Sequence, residues 1–269
     1  MLRLTYIGTT TIPVEAEAIR PDTLAGKSNA EIAALRIQLG NAAAPLGEFF
    51  RVEGSADDGA VTIEGDCSRV KMLGAGMTGG KLTIHGDVGM HLGAEMTGGE
   101  IRVHGSAADW VGAEMRGGKI HVHGNAGHLV GAAYRGSRFG MRGGAILVEG
   151  KTGDEVGIGM RRGLVVVGEV GDFAGASLIA GTVFVFGPSG IRAGASMKRG
   201  TVAFFGPPPA ILRTFRYACT YEPIYLSLYL RQLYAWGYPG VSQYLNVRWH
   251  RYCGDRVSLG KGEILVREV

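Results

Sequence analysis

Three histidines at a single spacing are the residues of this chain best placed to do chemistry. His85, His104 and His123 end the segments KLTIH, EIRVH and KIHVH, each 19 residues from the next, with Glu64 before them and Glu149 after. If these segments stack as neighbouring strands, their imidazoles come within about 5 Å of one another, near enough in principle to share a metal. The column then continues through Val167, Phe186 and Phe205. No Asp/His cluster completes a coordination sphere, so the expectation is an exposed ladder or an interface, with no metal bound. The column also lacks the clustered carboxylates that sugar-cleaving enzymes need.

A second column is basic. One residue after each of a series of methionines come Thr78, Thr97, Arg116, Arg142, Arg161 and Lys198; Arg162 and Arg199 adjoin two of these, and Arg135 and Arg138 lie nearby. Stacked guanidinium groups attract carboxylates or phosphates and raise the capture rate of an acidic ligand. A solvated basic edge and a site for an anionic ligand or acidic partner both remain open.

Other signatures fail. Gly74-Ala-Gly-Met-Thr-Gly79 matches GxGxxG but lacks the strand–helix–strand context that a dinucleotide fingerprint needs. No GxSxG, HExxH or phosphate-binding loop occurs. Cys67, Cys219 and Cys253 are far apart, which excludes a cysteine-only cluster or zinc ribbon within the chain. Free thiols and the lack of a signal-peptide or 18-residue apolar run fit a cytoplasmic protein with no membrane contact. The net charge of +4 is too mild to imply nucleic-acid binding. Residues 201–269 hold eight Lys/Arg against four Asp/Glu, a surplus equal to that of the whole chain.

The elements that must position these residues follow from a repeat. Segments beginning GAGM, GAEM, GAEM and GAAY start at Gly74, Gly93, Gly112 and Gly131, and the pattern returns at Gly157, Gly175 and Gly194. The one long interval holds a seven-residue insertion, Tyr134-Arg-Gly-Ser-Arg-Phe-Gly140. A unit of about 19 residues is too short for a helix-pair repeat or a propeller blade. It suits one coil of a right-handed parallel β-helix, with about seven or more coils, glycines at the corners and Met77, Met96, Met115, Met160 and Met197 stacked inward. The class is therefore mainly β. Residues 1–47 are expected to cap the first coil, with strands in residues 1–19 and a short helix over Ser28–Leu39 whose Ser28 and Glu31 form a capping box. Residues 48–206 hold the repeats, and the Pro207–Pro209 run ends them. Residues 207–269 form a Tyr/Arg-rich extension with a helix over Tyr221–Trp236. Its Tyr221, Tyr225 and Tyr229 form a candidate contact stripe, although packing back onto the chain's own coils is an equal alternative.

The GAxMxGG…hxVxG units, the segment Pro13-Val-Glu-Ala-Glu17 and the tail Gly254-Asp-Arg-Val-Ser-Leu-Gly-Lys-Gly-Glu-Ile-Leu265 resemble the C subunits of formylmethanofuran dehydrogenase and of the related formyltransferase/hydrolase complex. A similar β-helix ends the glutamate synthase large subunit. The tail looks most like that of the formyltransferase/hydrolase complex. The resemblance implies a non-catalytic scaffold with no cofactor of its own. Its partners would be amidohydrolase-like, formyltransferase-like and dehydrogenase B-like subunits. It also implies a methanofuran-type coenzyme with a glutamate-rich tail, tetrahydromethanopterin-linked formyl chemistry ending in formate, and a metal held in a partner. The competing readings are the C subunit of a molybdenum or tungsten formylmethanofuran dehydrogenase, a glutamate synthase-like domain, and a β-helical enzyme acting alone.

Overall fold

The computed structural model describes residues 1–268. Its dominant feature is a 13-stranded sheet. Along it run the parallel strands Leu2–Tyr6, Ala60–Glu64, Lys81–His85, Glu100–Val103, Lys119–Val122, Ala145–Lys151, Leu164–Glu169, Thr182–Val185, Arg199–Phe204 and Lys261–Arg267. Equivalent repeat positions face one another: Leu82, Ile101, Ile120, Ile146, Val165, Val183, Val202 and Ile264 form one unbroken row. Every residue of that row is fully buried. A slip by one residue would turn the whole apolar row outward, so burial fixes the register.

The repeats touch on other sides as well. Isolated parallel bridges join Cys67 to Val88, Val88 to Ala107 and Ala107 to Ala126. A further column of backbone bonds links Gly93 N to Leu73 O (2.9 Å), Gly112 N to Leu92 O (2.8 Å) and Gly131 N to Val111 O (2.8 Å). Between these sides stand Met77, Met96, Met115, Met141, Met160 and Met197, all fully buried, with Leu178 filling the place of the missing methionine. Met141, at the end of the insertion, joins the expected methionines. The glycine three residues after each methionine explains the motif. Gly118 has φ +84°, and a Cβ there would lie 2.7 Å from Met96 Cε, so each methionine methyl rests on the backbone of the following repeat. The same close approach recurs at Gly99, Gly144, Gly163 and Gly181.

The flanking segments add strands to this sheet and build a second, four-stranded one. Ser28 caps the helix Asn29–Ala33, and Glu31 completes the capping box. That helix is shorter than the expected Ser28–Leu39. Arg36–Leu39 is instead a strand, paired antiparallel with Ala42–Pro45 around Gly40 (φ +57°). Its Arg-Ile-Gln-Leu alternation buries Ile37, and a period of two suits a strand. Beyond the Pro207–Pro209 run the chain comes back. Lys261–Arg267 pairs in parallel register with Arg199–Phe204, because Gly260-Lys-Gly-Glu-Ile-Leu-Val reproduces the glycine-then-alternation pattern of a repeat. Trp249–Gly254 and Arg216–Tyr221 then continue antiparallel at that end, as Phe50–Glu53 does at the other. The extension thus has three strands besides its helix.

The helix spans Ile224–Ala235, later than expected at its start because Tyr221 belongs to the preceding strand. Leu226, Leu230 and Leu233 pack on Leu147, Val166, Phe184, Ala203, Phe205 and Leu265, the outward residues of the later repeats. A 12-residue helix is marginal alone, so this second core is what orders it.

If the methionine seat governs stacking, Met96→Ala should cost about 2–5 kcal/mol of unfolding free energy. Gly118→Ala, strained and crowded by the methyl, should cost roughly 1–3 kcal/mol. In urea titrations the double variant should lose less than the sum, because Met96→Ala clears the space that the new Cβ needs.

Candidate functional site

The seven inserted residues leave the stack without disturbing it. The chain exits where Ala133 N bonds Ile158 O (3.0 Å) and re-enters where Met141 N bonds Gly131 O (2.9 Å). Gly140 closes this neck, since a Cβ there would lie 2.8 Å from both Ala133 N and Ile158 O. The displaced loop overhangs a cleft of about 460 Å³, rimmed by Arg135, Arg138 and Lys198 and walled by Trp110 and Tyr134, with Glu155 as its one acidic residue. Tyr134 packs 4.9 Å from Trp110 and its hydroxyl meets His91 Nδ1 at 2.9 Å. Burial, with help from Glu95 and Glu114, pushes the Tyr134 phenol up to about 12. Burial and then Lys71 lower His91, so the wall is neutral while the rim is cationic. Phe139 carries both Arg138 (5.1 Å) and Arg161 (5.0 Å) over its ring.

The basic column is only partly gathered there. Arg116, Arg142, Arg161 and Lys198 do occupy one corner, each backbone N–H reaching the preceding repeat. Ile179 interrupts them in the repeat between Arg161 and Lys198. Arg116 pairs with Glu95 at 3.7 Å, and Arg142 is half-buried. Arg162 and Arg199 are exposed and lie outside the cleft lining. The aromatic wall escaped sequence reasoning, although His91, Trp110 and Leu129 recur at 19-residue spacing and share left-handed φ values of 65°, 66° and 64°.

The histidine column forms as a stack. His85 and His104 lie 4.6 Å apart with planes 4° off parallel, and His104 and His123 lie 5.2 Å apart. Desolvation, then the neighbouring rings of His85 and His123, lower the His104 pKa. At its end the column does more than was expected of it. His123 Nδ1 and His121 Nε2 both lie 2.8 Å from Glu149 Oε1. The carboxylate accepts from both rings, which places the protons on those two nitrogens and leaves His121 Nδ1 and His123 Nε2 buried without partners. His121 is 1% exposed; desolvation first and His123 second lower its pKa against the pull of Glu149, so an uncharged imidazole donates to the carboxylate. Among the described residues, these three are the group of His, Cys, Asp or Glu side chains close enough to share a metal ion. Farther along, the column passes through Gly168 rather than Val167: Val167 pairs with Val148 and Val185 in the inward row and is fully buried.

The tyrosine stripe turns partly toward the chain itself, with Tyr225 still 37% exposed. Tyr229 meets Phe184 edge-on at 5.4 Å, Tyr225 donates to Glu263 at 2.9 Å, and Tyr221 ends a strand and is half-buried. The helix presents other side chains outward: Ile224 is 83% exposed, Leu228 66% and Tyr234 72%.

Residues 80–213 match the family model described as the GXGXG motif. The C subunit of molybdenum-containing formylmethanofuran dehydrogenase 1 from Methanothermobacter marburgensis is 50% identical over 82 residues, 30% of this chain and 20% of that protein. The C subunit of tungsten-containing formylmethanofuran dehydrogenase 2 from the same organism is 40% identical over 85 residues, 30% of this chain and 32% of that protein. The chain thus matches about a fifth to a third of the length of these curated relatives. A solved structure, the formyltransferase/hydrolase complex (FhcABCD) of Methylorubrum extorquens with methylofuran, contains a chain that is 32% identical. That match covers 99% of this chain and 100% of the other, with a TM-score of 0.91. The chain belongs to the formylmethanofuran dehydrogenase C-subunit family. Within this family member, the GXGXG match takes in the insertion, the cationic rim and the whole histidine column, but not the helix Ile224–Ala235. The whole-chain match to FhcABCD takes in both. No helix among the described residues is long and apolar enough to cross a membrane.

The lowered pKa values of His91, His104 and His121 fix a direction for acid stability. The folded state binds fewer protons than the unfolded chain below about pH 6.5, so stability is complete above that pH and falls as it is crossed downward. Calorimetry should find a lower Tm at pH 5.5 than at pH 7.5, and replacing His91 and His104 with Gln should shrink the difference. A Tm that rises on acidification would contradict this assignment.

Proposed function

We propose that this chain is a non-catalytic structural subunit of a formyltransferase/hydrolase assembly, acting in tetrahydromethanopterin-linked one-carbon metabolism where a formyl group on a methanofuran-type coenzyme ends as formate. The observation that carries this reading is the end-to-end match to a chain of FhcABCD, from the first strand to the returning tail; the dehydrogenase relatives match 30–34% of the chain. The in-register strands and the two further columns of contacts support closed coils, a right-handed parallel β-helix; the reading places the assembly in the cytoplasm. Its role is to hold amidohydrolase-like, formyltransferase-like and dehydrogenase B-like partners, with the reaction's metal in one of them.

Two surfaces serve that role. The outward face of Ile224–Ala235 exposes Ile224, Leu228 and Tyr234, large apolar side chains of the kind that anchor interfaces when a partner covers them. The cleft under the insertion has three cations against one acid, which suits the carboxylates of a glutamate-rich coenzyme tail.

Pull-down of the intact assembly tests the first surface: Ile224→Glu with Leu228→Glu should leave the chain folded by circular dichroism yet strip it of partner subunits. Retention of every partner would rule this helix out as a docking face. For the cleft, replacing Arg135, Arg138 and Lys198 with Ala should weaken coenzyme binding to the assembly by roughly tenfold, about 1.4 kcal/mol, with kcat little changed. Unchanged affinity would remove the tail from this cleft.

A further inference from the structure

The end of the histidine column carries an arrangement that the scaffold role does not require. His121 and His123 stand on one face of the strand Lys119–Val122 and at its end, and Glu149 reaches them from Ala145–Lys151, the next strand of the sheet. One imidazole and one carboxylate partner would satisfy an ordinary surface hydrogen bond. Here two imidazole nitrogens converge on one carboxylate oxygen, each at 2.8 Å, and the donor atoms of all three groups lie within 4.8 Å of one another. We propose that His121, His123 and Glu149 bind one divalent transition-metal cation, of the Zn2+ or Co2+ type.

Three physical arguments support the site. The first is geometric. Metal–nitrogen and metal–oxygen bonds of about 2.0–2.2 Å put ligand atoms roughly 2.9 Å apart at right angles and 3.4 Å apart in a tetrahedron. Opening the present 2.8 Å separations to those values moves the Glu149 carboxylate by a few tenths of an ångström, within reach of its own torsions. The strands that carry the two rings are held in strict parallel register by the sheet, so the adjustment falls to side-chain torsions.

The second argument is charge. Glu149 makes ion-pair-range contacts with His121 and His123 and with no Lys or Arg among the described residues. The nearest cation across the sheet from His121 is Arg102, its register partner, and Arg102 is occupied with Glu100 at 3.2 Å. The carboxylate is 23% exposed, and a divalent cation is the compensation that this surface otherwise omits. The third is the donor set: two imidazoles and one carboxylate match the borderline metals and are a poor match for Ca2+ or Mg2+, which prefer all-oxygen shells.

Three protein ligands leave at least one coordination position for water. The cation would also tie together the two repeats that the seven-residue insertion separates in sequence. The site lies where Tyr238 of the extension donates to Val148 O at 3.2 Å, so it sits at the edge of the second core rather than in open solvent.

The protons distinguish the two states. Without a cation the hydrogen-bonded triad needs N–H at His121 Nε2 and His123 Nδ1. With one bound, those nitrogens give up their protons, which are held instead at His121 Nδ1 and His123 Nε2. The full-length chain, freed of metal by a chelator, should take up one equivalent of Zn2+ in calorimetric titration, and Tm should rise. Ca2+ and Mg2+ at the same concentration should leave Tm unchanged. Co2+ should give visible d–d absorption, and 15N imidazole spectra should report the tautomer exchange at two histidines. Glu149→Gln and His123→Gln, folded by circular dichroism, should each bind Zn2+ at least tenfold more weakly, while His104→Gln should bind as the parent does. A folded parent chain that takes up no Zn2+ would overturn the proposal. So would undiminished binding by Glu149→Gln, or loss of binding in His104→Gln alone, which would assign the metal to the exposed stack instead.

Discussion

The methyl of each buried methionine resting on the glycine backbone of the next repeat is the contact on which the rest of the structure depends. A side chain at Gly118 would overlap Met96 Cε, and the same overlap recurs repeat after repeat. The consequence is a fixed rise and a fixed rotation from one repeat to the next. The inward residues of each strand then face those of the next, from Leu82 opposite Ile101 through Val202 opposite Ile264, and the one register shift among these strands lies past Val148 in Ala145–Lys151. Methionine suits this post because its unbranched chain reaches the neighbouring repeat, and its flexibility absorbs small differences in spacing. Glycine suits the other half because the backbone must come close and, at Gly118, adopt φ +84°.

An array this strict cannot absorb extra residues, and that intolerance creates the features with chemical character. The insertion Tyr134–Gly140 is expelled whole, and Val122 still faces Val148 in perfect parallel register. The expelled loop becomes the roof of the cationic cleft. On the sheet side the same step brings Glu149, rather than a fourth histidine, beside His123. A carboxylate next to two imidazoles differs in kind from a ladder of like rings, which can only stack and lower one another's basicity, as His85 and His123 do to His104.

Much of this was legible in the sequence because periodicity reports burial directly. The inward rows, the methionine ladder and the Ser28–Glu31 box all follow from local pattern. What was not legible depends on contacts between residues far apart. Nothing near His121 announces that it is buried, since its equivalents Thr83 and Arg102 are half-exposed. Arg36–Leu39 reads as the end of a helix until Ala42–Pro45 is there to pair with it. The Tyr/Arg-rich segment looked like a contact surface by composition, but the direction in which Tyr221, Tyr225 and Tyr229 point is set by the apolar floor beneath them.

That floor explains why the molecule has two ends of different character. The middle position of each strand's outward face changes along the stack from Thr83, Arg102 and His121 to Leu147, Val166, Phe184, Ala203 and Leu265. The early repeats therefore keep a half-exposed polar face at Thr83 and Arg102, which closes over at His121. The later repeats have a dry one that must be covered, and the chain covers it with its own helix through Leu226, Leu230 and Leu233. Covering that face produces a new exposed apolar surface, because Ile224 and Leu228 occupy the opposite side of the same helix. A helix apolar on both sides is stable against its own chain on one side and incompletely buried on the other. The change from a polar to an apolar outward face thus divides the sheet into a part without a covering helix and a part that the chain covers with its own helix. His121 and Glu149 lie at the boundary between them.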